Sequence, residues 1–210
     1  MALKCENRIY DFGERLGFSR GKREDTDLLS LKKLIPGCIC VEKTDITTDK
    51  KGIDYIATLR RGSIISIDAK TREKGCSKFW KDGPELAPEI WSVMPGGKYG
   101  TRPDNAKAGW TLSESSLVEY IYATFNPEDC DEVFLLPFQL YRIAFRRRLK
   151  AWTQNYKVAI QDSGSWESKC VFVPADIVIS AISEEMRCTT EGTCRDKDNR
   201  TWPSCGEKSS

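Results

Sequence analysis

Two strand-like runs joined by a short turn carry acids where apolar side chains would be expected. They are Gly52-Ile53-Asp54-Tyr55-Ile56-Ala57-Thr58-Leu59 and Ser63-Ile64-Ile65-Ser66-Ile67-Asp68-Ala69-Lys70. A turn centred near Arg61 and Gly62 makes antiparallel partners sum to about 122 or 123, which sets Asp54 opposite Asp68 or its immediate neighbour. The strand period of two puts Ile64, Ser66, Asp68 and Lys70 on one face and Ile65, Ile67 and Ala69 on the other. Two carboxylates and an ammonium on adjacent strands suit a divalent-metal phosphodiesterase. Mg²⁺ prefers oxygen ligands and is typically held by one or two carboxylates plus substrate phosphate. Asp54, Asp68 and the carbonyl of Ala69 are the candidate metal ligands. Lys70 would orient or help deprotonate the attacking water and stabilise the transition state.

An Asp and an Asp-x-Lys can also form ordinary cross-strand pairs on a solvated hairpin. Here the nearly continuous run Ile64-Ile65-Ser66-Ile67 reads as a central strand buried on both faces. An acid and a lysine at the end of such a strand need a functional reason.

These residues resemble the motif of the PD-(D/E)XK nuclease superfamily: an Asp at the start of one strand, a hairpin, then an apolar strand ending in Asp/Glu-x-Lys. Ile53 stands where the motif's proline would be. The resemblance implies an α/β fold, a mixed central β-sheet flanked by helices as in restriction endonucleases. It also implies catalytic roles for Asp54, Asp68 and Lys70, with a Glu from the preceding helix, Glu14 or alternatively Glu6. The implied activity is hydrolysis of nucleic acid, DNA being the expected substrate, with Mg²⁺ or in its place Mn²⁺, by a phage, mobile-element or restriction-type enzyme working as a homodimer. Some members hold an iron–sulfur cluster on one upstream and three C-terminal cysteines, a count that Cys5, Cys188, Cys194 and Cys205 would meet. The spacings of six and eleven between the last three match no paired-cysteine zinc motif, so unpaired thiols are expected instead of zinc or a cluster.

Composition narrows the chemistry further. The chain has no histidine, which excludes His-based triads, HExxH zinc peptidases, HNH nucleases and phospholipase-D-like phosphodiesterases. Lys and Arg number 33 against 31 acids, so nucleic-acid binding must come from a local patch. With 210 residues and 40% apolar content, one domain over 1–186 and a polar tail over 187–210 are expected. No run reaches membrane-spanning length and Met1–Tyr10 has no apolar signal region, so a cytoplasmic location without membrane partners is expected. Nine cysteines fit reduced thiols there, Cys38 and Cys40 being expected as buried ones.

Along the chain the spacing predicts a helix over 5–18, a short helix over 28–34 capped by Asp27, and a strand over 38–42. Residues 73–108 are rich in Gly and Pro and read as a loop-rich insertion with at most a short helix. Its cations, among them Lys74 and Lys78, alternate with aromatic residues. That mixture suits phosphate contact and base stacking, or equally a loop that packs its rings on the core. Strands are expected at 117–125 and 133–137, then a helix from Pro137 or Phe138 with Leu140, Ile143, Ala144, Leu149 and Trp152 inward. Arg142, Arg146, Arg147, Arg148 and Lys150 place five cations within nine residues with no acid, a field suited to a phosphate backbone. Strands at 158–161 and 170–173 and a further element over 177–182 complete the expected domain. Two rival readings keep the same residues: a non-catalytic nucleic-acid-binding or anti-defence protein on this fold, and a thiol-rich metal-binding protein.

Overall fold

The computed structural model describes residues 24–45, 52–72 and 74–191. The acidic hairpin lies inside a five-stranded sheet ordered β1 (Cys38–Lys43), β2 (Tyr55–Leu59), β3 (Ile64–Thr71), β7 (Tyr120–Thr124) and β8 (Val133–Pro137). Neighbours are antiparallel except β3 and β7, which run parallel, so the sheet is mixed. A parallel pair requires a long crossover. The segment between them supplies it, and the loop-rich stretch expected over 73–108 carries short strands as well as loops. It holds β4 (Glu85–Leu86), β5 (Glu89–Val93) and β6 (Lys107–Ala108). β5 is an inner strand of a second, antiparallel sheet ordered β6-β5-β10-β9, with β9 at Val158–Asp162 and β10 at Glu167–Val171. Pro84, Pro88 and Pro103 fall between these short strands rather than within them. The breakers therefore bound strands whose ladder partner arrives much later in the chain.

Two apolar clusters cover the two faces of the central sheet. On one, Tyr55, Ala57, Ile67 and Tyr122 pack with Leu31 and Ile35 of helix α1 (Glu24–Leu34) and the turn that follows it. Asp27 does not cap this helix, which starts three residues earlier. The acid is buried within it, accepting from the hydroxyls of Tyr55 at 3.4 Å and Tyr122 at 3.3 Å. On the other face, Ile121, Ala123 and Leu136 pack with helices α2 (Phe138–Asn155) and α3 (Ala175–Glu191). α2 begins where expected, but its inward stripe is rotated. Ile143 is 40% exposed, whereas Phe138, Tyr141 and Phe145 are buried with Ala144 and Trp152. Burying three rings removes more apolar area from water than burying Ile143 and Leu140 would.

The element over 177–182 is part of α3, which follows the two-residue strand β11 (Val173–Pro174) and runs on past the expected tail boundary at 186–187. Cys40 is exposed and Cys38 half-buried, because β1 is an edge strand on which even Ile39 is 50% exposed; neither is the buried thiol expected. The helix expected over 5–18 with Glu6 and Glu14, and Cys5, Cys194, Cys205 and the tail beyond 191, lie outside the described residues. Among the described residues no helix is long and apolar enough to cross a membrane.

Candidate active site

The hairpin register fixes the acids. Tyr55 pairs with Ile67, Ile56 with Ser66, Ala57 with Ile65 and Thr58 with Ile64, every pair summing to 122. Gly62, at φ +79°, closes the turn in a conformation that L side chains rarely adopt, and its N–H donates to the Leu59 carbonyl at 2.9 Å. Just beyond the Tyr55–Ile67 pair the Asp54 N–H donates to the Ile67 carbonyl at 2.9 Å, and the Asp54 and Asp68 carboxyls come close enough to interact. With Tyr55 and Ile67 turned toward α1, both acids and Lys70 project on the opposite face.

β3 runs on beyond the start of β2, so among the described residues the edge of Ala69 has no strand partner on that side. The Asp54 side chain fills the place: its Oδ2 accepts the Ala69 N–H at 2.6 Å. Within a strand the carbonyl of a residue points to the same edge as its N–H. The Ala69 carbonyl therefore faces the Asp54 side of the hairpin. Asp68 is only 6% exposed, and its Oδ1 lies 2.6 Å from Lys70 Nζ. The ammonium also stands 5.5 Å over the Trp110 ring.

Electrostatics tie the three groups together. Burial, and then the charge of Asp68, push the Asp54 carboxyl above the usual carboxylate range, against the Ala69 N–H and Lys70. Burial would lower Lys70, but Asp68, then Asp54 and Glu89, more than offset it and hold the ammonium above the ordinary lysine range. Among the described residues no group of three or more His, Cys, Asp or Glu side chains could hold a metal ion. A cation here would draw on two carboxylates and a backbone carbonyl. The donor chemistry fits, since two crowded carboxylates and a carbonyl are hard oxygen ligands of the kind Mg²⁺ takes.

No protein-family model, curated protein or solved structure matches this chain.

Glu89 carries no sequence signal of its own, whereas Trp110 is one of the rings whose alternation with cations suits base stacking. Glu89 Oε2 accepts the Trp110 N–H at 3.1 Å and the Ser92 hydroxyl at 2.5 Å, which fixes the turn carrying the indole. Gly109 makes the approach feasible, for a Cβ there would lie 2.1 Å from the Glu89 carbonyl oxygen. A cleft of about 320 Å³ opens between the two sheets beside Lys70, with Arg72, Glu89, Trp110, Tyr141 and Gln161 in its wall. The alternation of aromatic residues with cations between 73 and 110 was the only sequence signal for it.

The basic face of α2 divides in two. Arg142 donates to the Ser113 carbonyl and Arg146 to the Leu112 carbonyl, each at 2.9 Å, so both brace the turn that follows Trp110. Arg146 also meets Glu114 at 3.1 Å. Arg147 and Arg148 turn instead to α3. They reach Glu185, itself 3% exposed, at 2.5 and 2.8 Å, and Arg148 also pairs with Glu184. The acids missing from the helix come from elsewhere in the chain. Lys150 and Lys78 are exposed, and Lys74 pairs at the surface with Glu128 at 2.6 Å.

Proposed function

We propose that the protein is a metal-dependent nuclease of the PD-(D/E)XK kind, hydrolysing phosphodiester bonds of DNA. The observation that carries this reading is the meeting of Asp54 and Asp68 on one face of the hairpin, with Lys70 ion-paired to Asp68 at 2.6 Å. Asp54, Asp68 and the Ala69 carbonyl would hold Mg²⁺, or Mn²⁺ in its place. When bound, the ion supplies a more acidic water and neutralises charge on the phosphate.

The chain's own groups do the rest. In the metal-free protein Asp68 favours the protonated form of Lys70, and the ammonium stands as a positive charge beside the phosphate. Asp54, anchored to the Ala69 N–H, keeps its carboxylate beside that of Asp68 as substrate enters. Arg142 and Arg146 act on the site indirectly, by holding the turn that presents Trp110 to Lys70. Lys150, Lys78 and Lys74 are the surface cations offered to the phosphate backbone, and a homodimer acting in the cytoplasm is the assembly this reading carries over from the superfamily.

The test is a plasmid nicking assay with Mg²⁺ and with chelator, comparing the natural protein with Lys70→Ala. Cleavage that needs the metal and is lost in the variant supports the proposal. Equal cleavage by both proteins rejects the role given to Lys70. Mg²⁺ binding that does not depend on Asp54 would favour a non-catalytic DNA-binding protein.

A further inference from the structure

The cleft next to Lys70 is polar on several sides and its chemistry is not used up by the three residues of the hairpin. Lys70, near the end of β3, and Arg72, the residue just after it, both line the cleft and give it two cations. The guanidinium of Arg72 is stacked 4.6 Å over the Phe172 ring, and its buried Nε has no hydrogen-bond partner among the described residues. Tyr141 lines the cleft from α2. It is 1% exposed and its hydroxyl is also buried without a partner among the described residues. Gln161 and Ser168, from the paired strands β9 and β10, bring side-chain hydrogen-bonding groups to the opposite wall, and the Trp110 indole adds an aromatic surface. Buried polar atoms without partners are rare in folded proteins, and each calls for a partner such as a water, an ion or a bound group.

We propose that this cleft is a subsite for one unpaired nucleotide of a DNA strand. The assignment rests on the nuclease reading and narrows its substrate to single-stranded or locally opened DNA. The two cations suit the phosphate, and amide, hydroxyl and indole groups suit the edge and face of a base. Size decides between paired and unpaired. A volume of about 320 Å³ lies at the lower end of small-molecule sites and leaves room for one nucleotide but not for a base pair. A nucleotide held in duplex must first be unstacked and unpaired, and that cost is smallest where the strand is already open.

The test uses the full chain in chelator, so that binding is read without cleavage. The probes are a short single-stranded oligodeoxynucleotide with one 2-aminopurine, the same strand annealed into a blunt duplex, and thymidine monophosphate as competitor. The single strand should bind at least about 10-fold more tightly than the duplex, and the mononucleotide should displace it. Tyr141→Phe should weaken single-strand binding about 2- to 10-fold and Arg72→Gln about 10-fold or more, as expected for loss of a neutral and of a charged hydrogen bond. Equal affinity for duplex and single strand, or unchanged binding in both variants, would overturn the subsite. Adding Mg²⁺ to the same strands separates the two ideas. Binding with this preference but no metal-dependent cleavage sinks the nuclease reading alone, and cleavage without the preference sinks the subsite alone.

Discussion

Asp54 is fastened to the strand it faces: its Oδ2 accepts the backbone N–H of Ala69 at 2.6 Å, between Asp68 and Lys70. The bond takes the place of a ladder partner where β3 outruns β2, and it holds the Asp54 carboxylate near that of Asp68. Two acids forced together in this way give the site its electrostatic character, and several measurable consequences.

Lys70→Ala leaves the Asp68 carboxylate, 6% exposed, without its ammonium. Nicking activity should fall by about 100-fold or more, the usual result of deleting a fixed charge at a developing oxyanion. Lys70→Arg should recover part of it, because the positive charge is kept while the geometry changes. Single-turnover cleavage rates measure both.

Asp54 binds its proton more tightly in the folded protein than in the unfolded chain. The metal-free protein should therefore lose stability as pH rises from the ordinary carboxylate range through the raised folded value. Asp54→Asn removes the charge but keeps an acceptor for Ala69. Its melting temperature at neutral pH should rise by about 2–4 °C, the effect of roughly 1 kcal/mol in a chain of this size, and should no longer respond to Mg²⁺. Lys70 contributes in the other direction. Its share of stability is complete below the ordinary lysine range and is lost as pH climbs through the raised folded value. Thermal melts across pH, with and without the substitutions, test both signs.

Glu185 is buried between Arg147 and Arg148. Glu185→Ala removes the buried acceptor that Arg147 and Arg148 share, Arg148 keeping Glu184, and should cost about 1–3 kcal/mol, read as a lower urea midpoint at unchanged slope. Lys150→Ala, at an exposed position, should leave the midpoint within about 0.5 kcal/mol and instead reduce the salt dependence of DNA binding. A large drop in midpoint for Lys150→Ala would contradict this division of the basic helix.

Gly109→Ala places a methyl 2.1 Å from the Glu89 carbonyl oxygen, and because that neighbour is backbone it has little room to yield. The substitution should destabilise the protein by about 2 kcal/mol or more. It should also lower activity by displacing the turn that sets Trp110 over Lys70. Gly62→Ala meets no atom within 4 Å, so its cost should be limited to the strain of φ +79°, about 1 kcal/mol. Denaturant midpoints compare the two.

Local pattern carried much of the site. The alternation of Ile64 to Lys70 and a Gly-containing turn fixed the hairpin register, and with it the facing of Asp54 and Asp68, because strand period and turn closure are properties of neighbouring residues. The start of α2 at Phe138 and the mixed α/β class were legible for the same reason. Segment 73–108 was not. Its strands are two to five residues long, bounded by prolines and glycines, and stabilised by a partner strand nearly eighty residues away, Trp91 pairing with Lys169. Nothing local reveals that pairing, so no signal in the sequence marks Glu89 as part of the cleft.

What the chain determined by itself was therefore the acid pair, the lysine beside it and the absence of any histidine to share their work. Tertiary structure decided which partners surround them. It turned Arg147 and Arg148 from open cations into an ion-paired brace against α3 and made Asp27 an acceptor for two tyrosines rather than a helix cap. It also raised a second sheet against Lys70 to form a cleft. The division follows from range: spacing along the sequence fixes which side chains share a face, whereas the charge and enclosure each one meets depend on segments that only folding brings near.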